Sequence, residues 1–433
     1  MHYVIVGNGI AGMEAALALR ARDDAARITL VSDEHDHLFS RPALMYVFAG
    51  QMRLADTEPH DRGLYERLRF ERVRGRVGSL DAGGRALVFL DGRRLGYDRL
   101  LLAVGSKGRP APWPGGDGPG VHYFVTLRDL EALDRDARKG MRAAVVGGGL
   151  IGVEVAEILH DRGLPTTFVV REEWYFPLAL DRNEAAIVAG HLRGHGVDVR
   201  LGAAVERIER GGDGRVSGVR LAGGETIGAD LVAATIGVVP NTGFLDGGAV
   251  RLAANGGIET DEALRTSAPD VWAAGDCANV TWFDATRRPE QLWYTARDQG
   301  RIAARSMLGD AVAYRRGPLY NSAKFFDVEY TTAGLVPAGL GKDGRPAPAE
   351  PGLATWFQHV PGRTESQRIV VRDGRVVGFN MLGSRWNHEL FLEWIEERRP
   401  LEWVLARLHE AQFDEELSRR FRALVPANAA GER

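Results

Sequence analysis

Two glycine-rich turns, each between a short apolar stretch and an amphipathic stretch, constrain the fold of this chain more than any other feature. They lie in HYVIVGNGIAGMEAALALRA and RAAVVGGGLIGVEVAEILHDRG, and their glycines are Gly7, Gly9, Gly12, Gly147, Gly149 and Gly152. In a dinucleotide-binding βαβ unit the first glycine makes the tight turn, the second lets the backbone approach a pyrophosphate, and the third lets the helix pack on the strand. One match means little in a chain with 54 glycines. Two matches in strand–turn–helix context predict two dinucleotide sites, and the simplest use of two dinucleotides is to pass electrons between them.

The surrounding hydrophobic pattern predicts an α/β fold with two Rossmann-like dinucleotide-binding domains and a C-terminal α+β domain. The first unit is predicted as a strand over 2–6, a helix over about 10–21 and a strand over 28–32. The second is predicted as a strand over 143–146, a helix from about Leu150 and a strand over 167–170. An apolar strand at Val271–Ala274 predicts that the chain returns to the first domain. The expected segments are therefore 1–111 and 246–317 for the first domain, 112–245 for the second and 318–433 for the third.

Composition narrows the class of protein. The net charge of −3 gives no general attraction to nucleic acid or to an anionic membrane, and no apolar run reaches membrane-spanning length. A strand that starts at His2 leaves no room for a signal peptide, so a cytoplasmic location is expected. The single cysteine, Cys277, excludes a disulfide framework, an all-cysteine metal site and a redox-active cysteine pair. We expect it to be a buried structural thiol.

An acidic pair follows the strand after the first turn. Asp33 and Glu34 end the stretch ITLVS, at a spacing from Gly7 that fits a unit of about 30 residues. An acidic side chain at this place accepts hydrogen bonds from ribose hydroxyls in a nucleotide-binding unit. The pair is therefore predicted to bind a ribose, and the alternative is that both are solvated turn residues.

The stretch ITLVSDEHDHLFSRPAL resembles the segment after the FAD fingerprint in ferredoxin reductase-like flavoproteins, a group that includes oxygenase-coupled reductases and apoptosis-inducing factor. This group is a branch of the FAD-dependent pyridine nucleotide-disulfide oxidoreductases. The shared pattern is an acidic pair, a short spacer ending in an aromatic residue, and Arg-Pro, which is Arg41-Pro42 in this chain. The resemblance implies that Asp33 and Glu34 hold the FAD ribose and that Arg41 contacts its pyrophosphate.

Three later segments extend the resemblance, namely LLLAVGSKGRP, VWAAGDCANV and QLWYTARDQG. They imply that Arg109 is a further FAD contact and that Val77 lies near the adenine. They also imply that Asp276 binds the ribityl chain and that Trp293 lies near the isoalloxazine.

The second site is expected to bind NAD(P)H. Glu154 occupies the position whose glutamate lies near the nicotinamide in the family, which makes it the candidate for the catalytic site; the alternative is an acid favoured by the helix dipole. Arg171 follows the second strand and could bind the 2′-phosphate of NADPH, whereas the adjacent Glu172 and Glu173 would repel it. The choice between NADH and NADPH stays open, with a slight preference for NADPH. The segment TIGVVPNTGF implies that Gly237 lies near the nicotinamide.

The missing second cysteine leaves the flavin as the expected redox centre. The resemblance then predicts an NAD(P)H-dependent reductase that passes electrons through FAD to a small iron–sulfur protein such as a ferredoxin, or to a rubredoxin. Two alternatives remain: an NAD(P)H oxidase or quinone reductase, and a flavin-bearing interaction protein switched by reduction.

The C-terminal region resembles the family in YNSAKFFDVEYTTAGLV, where Ser322 replaces a tryptophan and Lys324 replaces an acid. These replacements predict a flavin site that is more open, or one that is covered by Phe325 and Phe326. Apolar residues at helical spacing after Asn387 predict a helix that packs against the body of the protein or forms a homodimer through this domain.

Overall fold

The structure is a computed structural model, which describes residues 1–245, 248–283, 285–339 and 350–413. Its strands are β1 (His2–Val6), β2 (Arg27–Ser32), β3 (Phe70–Arg74), β4 (Val77–Asp81), β5 (Ala86–Phe89), β6 (Arg94–Gly96), β7 (Arg99–Leu102), β8 (Ser106–Gly108), β9 (Val121–His122), β10 (Ala143–Val146), β11 (Thr166–Val169), β12 (Asp198–Arg200), β13 (Val205–Arg210), β14 (Val216–Leu221), β15 (Thr226–Gly228), β16 (Leu231–Ala234), β17 (Val238–Pro240), β18 (Ile258–Glu259), β19 (Val271–Ala273), β20 (Ala278–Thr281), β21 (Arg287–Arg288), β22 (Tyr320–Phe325), β23 (Val328–Gly334), β24 (Leu353–His359), β25 (Ser366–Arg372) and β26 (Arg375–Leu382). Its α-helices are α1 (Ile10–Arg22), α2 (Leu44–Phe48), α3 (Gly63–Arg67), α4 (Leu127–Asp136), α5 (Leu150–Asp161), α6 (Arg182–Gly194), α7 (Trp293–Met307), α8 (His388–Glu396) and α9 (Leu401–Arg407).

The chain forms two compact units. The first unit contains 1–109, 124–134 and 238–317, and the second contains 110–123, 135–237 and 318–433. The first sheet, in the order β19-β7-β1-β2-β3, is parallel throughout. Because β19 pairs with β7 in this sheet, the chain does return to the first βαβ unit as its apolar strand predicted.

The core of the first unit explains why its strands are nearly all apolar. Ile5, Leu30 and Leu101 are at most 2% exposed, as expected for parallel strands covered by helices. Helix α1 lies against α7 at Gly300, where a Cβ atom would overlap the backbone of Ala11. This close approach fixes the helix that follows the first glycine turn.

The second unit combines a parallel sheet with antiparallel ones. The parallel sheet has the order β12-β11-β10-β16-β9, and a five-stranded antiparallel sheet has the order β22-β23-β26-β25-β24. Helix α8 packs on the antiparallel sheet, where the rings of Phe379 and Phe391 stack with centroids 4.2 Å apart. The predicted tail helix therefore packs against its own unit, and the predicted homodimer stays a prediction. The α/β fold class is confirmed.

Within the described residues, no helix is both long enough and apolar enough to cross a bilayer. The four-segment domain division made from the sequence stays a prediction.

Candidate functional site

The first glycine turn joins β1 to α1 in the first unit. Gly7 has φ of +111° and donates its N–H to the carbonyl of Val31 at 2.8 Å. A Cβ atom on Gly7 would overlap the backbone of Ala103, and one on Gly12 would overlap the carbonyl oxygen of Gly7. Gly9 precedes α1, and a Cβ atom there would have nothing within 4 Å. Open space at the N-terminus of a helix with unpaired N–H groups fits a pyrophosphate.

The acidic pair follows β2 at the same edge of the sheet. Glu34 accepts hydrogen bonds from Nη1 and Nη2 of Arg41 at 3.1 and 2.7 Å, and from the N–H of Leu127 at 2.7 Å. Burial alone would raise the pKa of Glu34, but its hydrogen bonds and the Arg41 charge lower it overall. Asp33 pairs with Arg128 at 3.1 Å. The structure thus joins Glu34 to Arg41, a contact that the sequence did not predict.

Asp276 lies just beyond β19 at this edge. Gly275 beside it is so close to α1 that a Cβ atom there would lie 3.1 Å from the Cβ of Ala11. The carboxylate of Asp276 accepts a hydrogen bond from the Ser106 hydroxyl at 2.7 Å, and burial raises its pKa. A partly buried carboxylate next to the glycine turn is suited to bind hydroxyl groups of a ligand.

The other predicted contacts of the first site are spread over the unit. Trp293 is the first residue of α7 and packs against the core of the first unit. Val77 begins β4 in a separate three-stranded sheet, and Arg109 is exposed after β8. Their contacts with a flavin remain predictions.

The second glycine turn joins β10 to α5 and repeats the geometry of the first. Gly147 has φ of +129°, and a Cβ atom there would overlap the carbonyl oxygen of Thr235. A Cβ atom on Gly152 would overlap the carbonyl oxygen of Gly147, whereas one on Gly149 would have nothing within 4 Å. The turn therefore offers the same open helix N-terminus to a second pyrophosphate.

Helix α5 carries two acids with unusual pKa values. Burial and the neighbouring Glu157 raise the pKa of Glu154 to about 7. Burial and the charge of Asp161 raise the pKa of Glu157 to about 7 as well. Tyr175, which is fully buried and whose hydroxyl lies 3.5 Å from the carbonyl oxygen of Gly149, faces the same region. Perturbed carboxyl groups beside a glycine turn are typical of functional sites.

Arg171 is exposed near the end of β11 and pairs with Glu172 through Nη2 at 2.7 Å. Glu172 therefore partly neutralises the guanidinium of Arg171. Gly237 lies after β16 with φ of +101°, and a Cβ atom there would have nothing within 4 Å. The roles of both residues toward a nicotinamide remain predictions.

In the C-terminal sheet, Ser322 is exposed and Lys324 pairs with Glu329 at 3.6 Å. Phe325 is fully buried against Tyr175 and Tyr330. Phe326 is 6% exposed, so the rings of both phenylalanines are packed within the second unit.

Sequence reasoning missed Tyr175, Ser106 and Arg128. Ser106 lies within the segment LLLAVGSKGRP, so the resemblance could have drawn attention to it. Arg128 and Leu127 reach the acidic pair from a segment far along the chain, and no local pattern marks that contact.

Comparison with known proteins places these turns in context. The family described as "Pyridine nucleotide-disulphide oxidoreductase" matches residues 1–300. The chain is 34% identical over 353 residues to the ferredoxin reductase subunit of the 5,5′-dehydrodivanillate O-demethylase of Sphingobium sp. (strain NBRC 103272 / SYK-6), covering 77% of this chain and 82% of that one. It is 33% identical over 348 residues to the rhodocoxin reductase of Rhodococcus erythropolis, covering 78% of each chain.

The fold is also similar to that of a solved relative. A chain in the crystal structure of the covalent putidaredoxin reductase–putidaredoxin complex superimposes with a TM-score of 0.80 at 25% identity. The match covers 92% of this chain and 94% of that chain.

Proposed function

The chain belongs to the pyridine nucleotide-disulphide oxidoreductase family, and we propose that it is an NAD(P)H-dependent FAD reductase that passes electrons to a small iron–sulfur protein of the ferredoxin type. The sequence predicted a member of the ferredoxin reductase-like branch that uses FAD together with NAD(P)H. The family match and the relatives confirm both predictions. The acceptor is proposed because the relatives named above are ferredoxin and rhodocoxin reductases.

The observation that carries the proposal is the duplication of one turn geometry in a chain with one buried cysteine. Gly9 and Gly149 both leave open space at a helix N-terminus beside a parallel sheet. Cys277 is fully buried, and burial raises its pKa to about 12, so it offers no thiolate for disulfide chemistry. A bound flavin would therefore need an acceptor outside the chain, because the chain has no cysteine pair to take its electrons.

We propose roles for the first-unit residues on the same basis. The open N-terminus of α1 would hold the FAD pyrophosphate, which Arg41 would contact, and Asp33 and Glu34 would bind the ribose. Asp276 would orient the ribityl hydroxyls. When bound, FAD would supply the group that accepts a hydride from NAD(P)H and releases electrons singly.

The second-unit residues would position the nicotinamide. The N-terminus of α5 would hold its pyrophosphate, and Glu154 would lie beside the ring. With a pKa of about 7, Glu154 can donate a hydrogen bond when protonated and accept one when ionised. Hydride transfer depends mainly on orientation, so we assign Glu154 to positioning rather than to proton transfer.

The residues 62–76 contain six arginines, a run that could dock an acidic acceptor or form a solvated surface balanced by acids, and the ion pairs support the second interpretation. Five of these arginine side chains are already paired with acids: Arg62 with Glu58, Arg67 with Asp61, Arg69 with Asp24, Arg72 with Glu66, and Arg74 with Asp36.

A cytoplasmic location is proposed because reduced nicotinamides are supplied there.

Anaerobic stopped-flow spectroscopy tests the proposal. The FAD-loaded protein is mixed with NADH or NADPH, and loss of the flavin absorbance is expected. The reduced protein is then mixed in parallel with a [2Fe–2S] ferredoxin, a quinone and dioxygen, and reoxidation by the ferredoxin is expected to be at least about 100-fold faster than by dioxygen. Fast reoxidation by dioxygen or quinone together with slow transfer to ferredoxins would establish the oxidase or quinone reductase alternative. Slow reoxidation by every acceptor would instead favour the redox-switched interaction protein.

A further inference from the structure

Two histidines and an aspartate come together in the second unit, away from the residues assigned above. His191 lies on α6, and His195, one turn further on, is the residue that caps the C-terminal end of this helix. Asp327 lies in the turn between β22 and β23. Their candidate ligand atoms all lie within 4.8 Å of one another. We propose that His191, His195 and Asp327 form a binding site for a divalent transition metal of the Zn²⁺ class.

The helix supplies two of the ligands in a suitable arrangement. Residues four apart project from the same face of a helix, which is the spacing of histidine pairs in many helical zinc sites. The His191 and His195 rings are 4.4 Å apart, and each directs Nε2 toward Oδ1 of Asp327. The Nε2 of His195 lies 3.9 Å from that oxygen, and the Nε2 of His191 is hydrogen-bonded to it.

The distances are compatible with coordination. Metal–ligand bonds of about 2.0–2.2 Å in a tetrahedral site separate ligand atoms by roughly 3.3–3.6 Å. The His195–Asp327 separation needs little change, while the hydrogen bond between His191 and Asp327 must lengthen. Asp327 can make this movement because its side chain is 75% exposed. The metal would replace the proton between His191 and Asp327, with water completing the coordination.

The tautomer of His195 is already set for metal binding. Its Nδ1 lies 3.0 Å from the carbonyl oxygen of His191, so Nδ1 carries the hydrogen and Nε2 presents its lone pair. This is the outer hydrogen bond that metal-bound histidines commonly make to fix the ring. His195 also contacts the ring of Phe326, with centroids 5.1 Å apart, which restricts the orientation of the imidazole.

The hairpin turn is held in an uncommon conformation that places Asp327. Phe326 is the first of the two turn residues and has φ of +60°, a region that a side chain of this size rarely occupies. Its ring is buried against His195 and His160, which keeps the turn in place. The backbone of Asp327 is thereby placed over the end of α6, while its exposed side chain can still adjust.

Nearby charge favours a cation. Glu157 on α5 interacts with both Asp161 and Asp327, so the site lies among acidic groups, and Lys324, which also interacts with Glu157, pairs with Glu329. A second group of comparable composition, His35, His37 and Glu58, is less suitable. There, Arg62 binds both oxygens of Glu58 at 2.8 Å, and the guanidinium of Arg72 lies 2.8 Å from Nε2 of His37.

The test uses the whole 433-residue chain, loaded with FAD and without an affinity tag. The protein is stripped with a chelator, exposed to ZnSO₄ and passed through a desalting column, and bound zinc is counted by mass spectrometry. One zinc per chain is expected, and competition with a chromophoric chelator gives the Kd. His195→Gln and Asp327→Asn are each expected to weaken zinc binding at least about tenfold. His409→Gln removes an exposed histidine of the same unit and is expected to leave zinc binding unchanged.

A second measurement separates metal binding from misfolding. Zinc joins α6 to the β22–β23 hairpin, so it should raise the Tm of the original chain by a few degrees and protect both segments from hydrogen exchange. His195→Gln and Asp327→Asn should keep their flavin, and without zinc their Tm should equal that of the original chain without zinc. Addition of zinc should no longer raise their Tm. The proposal is wrong if the original chain retains no zinc at micromolar concentration, or if both variants retain as much as the original chain. Loss of zinc in His37→Gln with retention in Asp327→Asn would assign the metal to the other cluster.

Discussion

Gly7 and Ala103 lie so close together that a Cβ atom on Gly7 would overlap the carbonyl oxygen of Ala103. The φ of +111° at Gly7 adds strain for any other residue. Gly9, two residues further on, has open space where its Cβ would be. The two glycines therefore have different functions, although they belong to one motif: Gly7 permits the fold, and Gly9 leaves room for a ligand.

We predict that Gly7→Ala and Gly9→Ala fail in different ways. Gly7→Ala should destabilise the first unit by about 2–4 kcal/mol and give little folded protein. Gly9→Ala should fold with a Tm near that of the original chain but retain less than about a tenth of the flavin. Thermal unfolding measures the change in stability, and the ratio of flavin to protein absorbance measures the flavin content. If Gly9→Ala kept its full flavin content, the assignment of the pyrophosphate to the N-terminus of α1 would be wrong.

Cys277 should be unreactive in the native protein. Its Sγ lies 3.3 Å from the carbonyl oxygen of Leu102, and burial raises its pKa to about 12. We expect no alkylation by iodoacetamide at pH 8 over an hour, and complete alkylation in denaturant, as measured by mass spectrometry. Cys277→Ser should keep hydride transfer from NAD(P)H within about twofold. Rapid native labelling, or loss of flavin reduction in Cys277→Ser, would contradict the assignment of a purely structural thiol.

The two glycine turns could be predicted from the sequence because each depends on residues close together in the chain. The strand before the turn, the helix after it and the acid after the next strand all lie within one short segment. The predicted strands at 2–6 and 143–146 match β1 and β10, and α5 begins at Leu150 as expected. Local pattern also located β19, because its apolar run leads directly into Gly275-Asp276.

Contacts between distant segments could not be predicted in the same way. Arg368 is 1% exposed and binds Glu184 at 2.9 Å, yet it is one of 55 basic residues with nothing local to distinguish it. The N–H of Leu127 binds Glu34 because the segment 124–134 belongs to the first unit, a pairing that no periodicity reveals. The approach of Asp327 to α6 depends likewise on the position of a hairpin turn.

The acids on α5 should make stability and flavin reduction depend on pH. Glu154 and Glu157 have folded-state pKa values of about 7, above the usual 4.5. The folded protein therefore holds these protons more tightly than the unfolded chain, and stability falls as pH rises from about 4.5 to about 7. Glu157→Gln removes one titrating group and the charge that raises the pKa of Glu154. It should stabilise the protein at pH 8 by roughly 1–3 kcal/mol, measured by denaturant unfolding.

The same pair should affect flavin reduction. The rate of reduction by NAD(P)H in the original chain should change with an apparent pKa near 7. Glu154→Gln should remove this inflection, and Glu157→Gln should shift it to lower pH. Glu14→Gln is the control, because Glu14 lies on α1 in the other unit and pairs with Arg301. If the pH profile of flavin reduction were unchanged in Glu154→Gln, the placement of Glu154 beside the nicotinamide would be wrong.

Arg171 and Glu172 should set the choice of nicotinamide in opposite directions. The exposed guanidinium of Arg171 could bind a 2′-phosphate, but Glu172 accepts its hydrogen bonds at 3.2 and 2.7 Å. Arg171→Ala should lower kcat/KM for NADPH about tenfold relative to NADH, which corresponds to one lost charge-assisted contact. Glu172→Gln should raise kcat/KM for NADPH because it frees Arg171 and removes the repulsion. Arg215→Ala, which removes an exposed arginine of the same unit, should change neither value. Equal effects on both nicotinamides in Arg171→Ala would place the 2′ position of the ribose away from the end of β11.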